Sequence, residues 1–315
     1  MLLKKCLQHP VFLILKSSFI GFVDDNVLKF SAALAYYTIF SLPSMLIVII
    51  GLCSVFYGKD AVQGEIFFQI HQFVGNEAAL EIQHILQKTT LHHDNFLATI
   101  TGLATLLLAA TGMFGEIQDS INIIWGLKTK PKKGFIKIFL NRLISFSMVL
   151  ILGFILLVSL LLNAVMDNFF NELKKIFSES FITYLYLLDY IFLFGVIALL
   201  FAFIFKALPD AKILWKDVWV GALITTLLFL IGKFLISYYL MHNKSISAYG
   251  AAGSLIIILL WVYYSAIILY YGAEFTQAYV KQRGRFIQPN KYAVWIAEEA
   301  EAKKIPVTEI SNIHK

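Results

Sequence analysis

Cysteine and charge are both scarce in this chain. Two cysteines in 315 residues cannot build a disulfide scaffold, and Asp, Glu, Lys and Arg together fill only 15% of positions, too few for an ordinary soluble domain. Enzyme motifs are missing as well. There is no nucleophile elbow, no helical His-x-x-x-His pair, no Cys or His set at metal spacing and no glycine loop that cradles phosphate. These absences argue against a hydrolase, a metalloenzyme or a nucleotide-driven machine, so we expect neither enzyme activity nor a cofactor. His71, His84, His92 and His93 crowd one link, but His92, His93 and Asp94 lack the spaced partners a metal requires and read as solvated loop residues.

What is present is apolar. Hydrophobic residues make up 59% of the sequence and mean hydropathy is +0.76, which marks an integral membrane protein. Six stretches are long enough to cross about 30 Å of hydrocarbon: 32–57, 96–114, 143–162, 185–205, 218–241 and 250–271. The expected fold is all-α, with six transmembrane helices over 32–277, an N-terminal segment (1–31) and a tail (278–315). Residues 11–31 mix apolar types with Lys16, Asp24, Asp25 and Lys29 and predict an amphipathic helix lying at the interface. Within the first span Pro43 lacks an N–H, which predicts either a simple kink or a functional break.

Lysine and arginine set the orientation. The N-terminal segment, the links after the second and fourth spans and the tail carry 20 of them, against 5 in the other three links, with Lys233 alone inside a helix. Both termini are therefore expected in the cytoplasm. Cys6 and Cys53 then lie on opposite sides and cannot pair. The net charge of +6 sits on membrane-proximal links, where lipid headgroups account for it, so membrane lipids rather than nucleic acid are the expected partners. Lys4 and Lys5 precede a short apolar stretch without a small-residue cleavage site, and the first span is expected to serve as an uncleaved signal. From Lys291 to Lys304 the tail has the composition of a short exposed helix.

Three helix faces carry polar groups. On the second span Thr101, Thr105, Gly112, Glu116 and Asp119 share a sector, read either as close packing or as part of a path. On the fifth, Lys233 would cost about 2.5 to 3.5 kcal/mol at a helix centre; it either snorkels outward past Ser237 or pairs with Asp189 on the fourth span. The sixth separates a stripe of Gly250, Ser254, Trp261, Ser265 and Gly272, read as packing, from one of Tyr263, Tyr270, Glu274 and Gln277, read as facing the bundle or a water-filled cavity. Glu274, Glu116, Asp119 and Arg142 are expected at one level near the inner boundary, with Arg142 offsetting a carboxylate.

Several runs carry a specific resemblance: Ala32-Ala33-Leu34-Ala35-Tyr36-Tyr37 with Ser41 and Pro43; Ala207-Leu208-Pro209-Asp210 leading to Trp215-Lys216-Asp217-Val218 and Gly221-Ala222; and Tyr249-Gly250-Ala251-Ala252-Gly253-Ser254, Trp261-Val262-Tyr263-Tyr264-Ser265 and Gly272-Ala273-Glu274-Phe275. Over most of residues 15–285 the chain resembles the YihY/BrkB family of bacterial inner-membrane proteins. The resemblance implies a six-helix protein of the inner membrane with both ends cytoplasmic and a role in the envelope or in lipid export. Members have carried a ribonuclease label, but the residues for metal-assisted RNA hydrolysis are missing here. The expected function is a transporter or lipid translocator for an anionic lipid or small molecule, with Pro43 as deformable point, Glu274, Glu116 and Arg142 at an inner gate, and Lys233 with Asp189 as an outer pair. The alternative is a scaffold for envelope enzymes. A homo-oligomer is compatible with either.

Overall fold

The computed structural model describes residues 10–41, 79–80, 83, 112–129, 147, 179–242 and 252–297. Within them run α1 (Pro10–Asp24), α2 (Val27–Ser41), α3 (112–124), β1 (Leu127–Thr129), α4 (Glu179–Ala207), β2 (Ala211–Lys212), α5 (Trp215–His242), α6 (Ala252–Gln282), β3 (Gln288–Pro289) and β4 (Ala293–Trp295). The protein is mostly helical. Tyr190–Ala207, Trp215–Tyr239 and Leu255–Gln282 are each long and apolar enough to cross a membrane, and they coincide with the fourth, fifth and sixth expected spans. The third span, most of the first and second, Pro43, Thr101, Thr105 and Arg142 lie outside the described residues.

The N-terminal segment departs from expectation. One interfacial helix over 11–31 was predicted, but the chain breaks at Asp25–Asn26, where Asn26 takes φ 54° and its side-chain amide donates to the Asp24 carbonyl at 3.3 Å. Asp-Asp-Asn favours local side-chain hydrogen bonds over helix, and Asn tolerates the left-handed region. α1 then packs along the end of α6, with Ile14 against Phe275 and Ala278, and Phe22 edge-on to Tyr271 at 6.1 Å. Its outer face is apolar, with Phe19 and Val23 more than half exposed. Such a face suits lipid.

Helices α5 and α6 cross at very close range. A Cβ on Gly221 would meet Thr276, one on Gly272 would lie 2.9 Å from Thr225 Cβ and Cγ2, and one on Gly232 would strike the Tyr264 hydroxyl. Each of the two threonines satisfies its own hydroxyl by donating one turn back, Thr225 to Gly221 and Thr276 to Gly272. Two reciprocal glycine–threonine contacts thus bring the backbones together without an unsatisfied polar group. On the far side of α5, Ile197, Phe229 and Ile268 join α4, α5 and α6 in one cluster, and Trp261 stands edge-on to Phe229 at 6.1 Å. Gly272 and Trp261 therefore behave as packing residues.

α6 continues past the membrane-crossing stretch to Gln282, and Gly284 at φ 67° closes it with Arg285 N–H bonded to the Val280 carbonyl and Gly284 N–H to Lys281, a Schellman cap. The chain then returns across the bundle end as strands, with β4 taking residues 293–295 of the expected 291–304 helix; residues 296 and 297 are helical and 298–304 lie outside the described residues. β4 pairs antiparallel with β1 (Leu127 opposite Trp295) and β3 with β2 (Ala211 opposite Pro289). Segments following the second, fourth and sixth spans thus meet at one end of the molecule. Asp210 ties them: its carboxylate accepts from Asn122 and Thr129 at 3.3 Å and from Asn290 at 3.4 Å. Nearby, buried Asp217 in the first turn of α5 receives Arg285 Nη2 at 2.6 Å, the left-handed turn at Gly284 having turned the chain back.

Two stability outcomes follow from this packing. Gly272→Ala should lower stability by about 1 to 3 kcal/mol through overpacking, and adding Thr225→Ala should recover part of the loss. Arg285→Ala strands the buried Asp217 carboxylate and should cost about 2 kcal/mol, reduced because the guanidinium is partly exposed. Thermal unfolding of the purified protein in detergent reads both; an unchanged midpoint in either single variant contradicts the corresponding contact.

Candidate functional site

The sixth helix does not present its polar stripe to one neighbour. Tyr270, Glu274 and Gln277 lie within 60° of each other on α6, yet Gln277 leans to α3 and Glu274 to α1. Gln277 donates its amide to the Ile124 carbonyl at 2.6 Å, and Trp125 Nε1 donates to the Ala273 carbonyl at 3.1 Å, which locks α3 to α6. Tyr270 is fully buried, edge-on to Phe30 at 6.4 Å, with its hydroxyl turned toward Ser120, Glu116 and Asp119 but short of a well-formed hydrogen bond. Tyr263, two turns earlier, is half-buried.

Glu116 is half-buried and accepts from Ser120 Oγ at 3.3 Å. Burial raises its pKa above the ordinary 4.5, the Ser120 hydrogen bond opposes that shift, and Asp119 adds to it. Ser120, Glu116 and Asp119 of α3 thus stand near Tyr270 of α6. Asp119 is exposed, so this end of the face reaches solvent.

Glu274 is 2% exposed and belongs to a different neighbourhood. Its Oε2 lies against Gly21, where a Cβ would collide with it, and the Asp25 carboxyl, one turn on from Gly21, stands beside it. Among the described residues, the charges that reach it are Asp25, Lys281 and Asp24. Arg142, the predicted counter-charge, lies outside the described residues. The sequence reading missed the N-terminal acids as partners because it laid residues 11–31 flat on the surface. Asp24-Asp25-Asn26 between two apolar runs was the available signal of a turn rather than a continuous helix.

Near the opposite end, Lys233 lines a groove of about 320 Å³ between α4 and α5 with Tyr190, Ile191, Leu193, Phe194, Leu230 and Phe234. Tyr190, Ile191 and Phe234 are 59 to 69% exposed, so the groove opens sideways, toward where lipid would stand. Asp189 sits in α4 next to this wall, but its side chain is outside the described residues. A single ammonium in an otherwise apolar lateral groove can hold an anionic headgroup while chains lie along the phenylalanines and leucines.

Glu116 generates a pH dependence. Its folded-state pKa is above 4.5, so the folded protein holds this proton more tightly than the unfolded chain, and its contribution to stability falls as pH rises from 4.5 through the folded value. Glu116→Gln should therefore raise the unfolding midpoint at neutral pH and leave it little changed at acidic pH, as read by thermal scans across pH; a gain equal at both pH values contradicts the desolvated carboxyl.

A family model described as Virulence factor BrkB matches residues 18–293. The chain is 27% identical over 265 residues to the UPF0761 membrane protein of Aeromonas salmonicida (strain A449), covering 81% of this chain and 84% of that one. It is 27% identical over 257 residues to a UPF0761 membrane protein of Alteromonas mediterranea, covering 80% and 83%. The similarity to that of Vibrio vulnificus (strain YJ016) is 29% over 265 residues, covering 81% and 78%. No solved structure matches. The matched region takes in α2 to α6, the β2–β3 pair, the Lys233 groove and Glu274, and the chain belongs to the BrkB family of integral membrane proteins.

Proposed function

We propose that this protein moves an anionic amphiphile, a lipid or an envelope precursor, between the two leaflets of the membrane. The observation that supports this reading is the lateral groove at Lys233, a cation among exposed apolar side chains of two membrane-length helices. Lysine there carries an insertion cost of about 2.5 to 3.5 kcal/mol if central, a cost that a packing role does not explain and an anionic headgroup offsets. Lys233 lies six residues from the end of the apolar stretch at Tyr239, about 9 Å along the helix, a depth a headgroup reaches on entering from one leaflet. With no nucleotide motif in the sequence, movement would draw on an ion gradient or on the substrate's own gradient.

A scaffold is the second reading. It is favoured by the strand-capped end of the bundle, where Phe286 stands 71% exposed beside the β3 and β4 segment and offers a rigid apolar contact for a partner. Under it, the groove would be an annular lipid site without transport.

Reconstitution separates the two. In vesicles of phosphatidylethanolamine and phosphatidylglycerol, the full chain should scramble fluorescent phosphatidylglycerol faster than empty vesicles. Lys233→Met should slow it on the order of tenfold, about 1.4 kcal/mol of lost headgroup interaction, while raising the thermal midpoint. Scrambling at the wild-type rate in Lys233→Met removes the lysine from the path; no scrambling by the wild type favours the scaffold.

A further inference from the structure

Glu274 and Asp25 meet across the α1–α6 contact, one carboxyl buried and the other half-buried. Three observations converge on them. The Glu274 carboxyl is 2% exposed, and its Oε1 has no hydrogen-bond partner among the described residues. Gly21, one turn before Asp25, leaves the space in which Oε2 sits; any side chain there would displace the carboxyl. The Asp25 carboxyl stands beside that of Glu274, and a hydrogen bond between the two needs a proton, since two carboxylates have acceptors only.

The surroundings supply a route for that proton. Exposure falls in order from Asp24, exposed, to Asp25, half-buried, to Glu274, buried. Asp25 N–H donates to the Gly21 carbonyl at 2.8 Å, fixing the last turn of α1 so that its carboxyl turns to α6. Lys281, two turns along α6, is the cation that reaches Glu274, and Asp24 is the further anion. The unpartnered Oε1 can accept a second hydrogen bond once the site changes state.

We propose that Asp25 and Glu274 form a proton-binding site, in which one exchangeable proton, delivered from the Asp24 side, joins α1 to α6 and is released when the two helices part. The proton passes from water to Asp25 and then to Glu274, with no other bond made or broken. Loss of the proton leaves two carboxylates facing each other and pushes α1 away from α6; rebinding restores the contact. As a source of coupling for movement of an amphiphile the site rests on the reading above. As a proton site it does not.

Infrared difference spectroscopy across a pH titration tests it, using the full chain in phosphatidylethanolamine and phosphatidylglycerol vesicles. The expected result is a protonated-carboxyl carbonyl band that shifts in deuterated water, titrates, and disappears in both Asp25→Asn and Glu274→Gln. Glu274→Gln keeps a neutral hydrogen-bonding group and should remain folded with α1 docked, as read by its thermal midpoint. A band absent from the wild type, or surviving in both variants, overturns the proposal. Scrambling of fluorescent phosphatidylglycerol that accelerates severalfold under an imposed pH gradient, and loses that response in Asp25→Asn, supports coupling. A titrating band in vesicles that scramble nothing upholds the site and removes the transport reading. Scrambling without the band does the reverse.

Discussion

Two glycine–threonine contacts hold α5 and α6 at a separation that no larger residue permits, and the placement of the polar groups of α6 and of Lys233 on α5 depends on that crossing. Gly221 receives Thr276, and Gly272 receives Thr225, each threonine hydroxyl satisfied within its own helix. In hydrocarbon, burial of apolar surface gives no net drive for helices to associate, so close approach and dispersion must supply it. Once α6 is fixed in rotation, Ala273 and Gln277 reach α3, Tyr270 turns to Ser120, and Glu274 turns to α1. Fixing α5 likewise sets Lys233 toward α4 and opens the groove behind it.

The opposite constraint acts at the capped end. Here the chain leaves the helices, and its backbone groups need partners that water or strands can supply. Two short strand pairs and the Asp210 carboxylate answer that need, gathering Asn122, Thr129 and Asn290 into one hydrogen-bonded joint. The joint couples α3, the α4–α5 turn and the returning tail. Movement of α6 against α1 would therefore occur against a fixed end, with Asp25–Asn26 as the break in the chain at which α1 turns into α2.

Composition and hydropathy were enough to read a membrane protein and to locate the fourth, fifth and sixth helices, because an apolar run of that length has no other stable setting. Gly272 and Trp261 were legible as packing, and Glu116 and Asp119 as neighbours on one helix, because helical periodicity decides such groupings. The partner of Glu274 was not legible. Periodicity gives the direction of a side chain on its own helix but not which element stands opposite, and α1 had been placed flat on the membrane. Asp210 and Asp217 were visible within family motifs, yet their roles required the strand pairing of the tail, which two- and three-residue strands do not announce in sequence.

The central claim is that the groove between α4 and α5 holds an anionic amphiphile with its headgroup at Lys233. The most direct measurement is a cryo-electron microscopy map of the full chain in nanodiscs containing phosphatidylglycerol. The account predicts elongated density along Phe194, Leu230 and Phe234 ending in a headgroup within contact of the Lys233 ammonium, and its loss in Lys233→Met. A groove filled by its own side chains, with Lys233 extended to water and no lipid beside it, would contradict it.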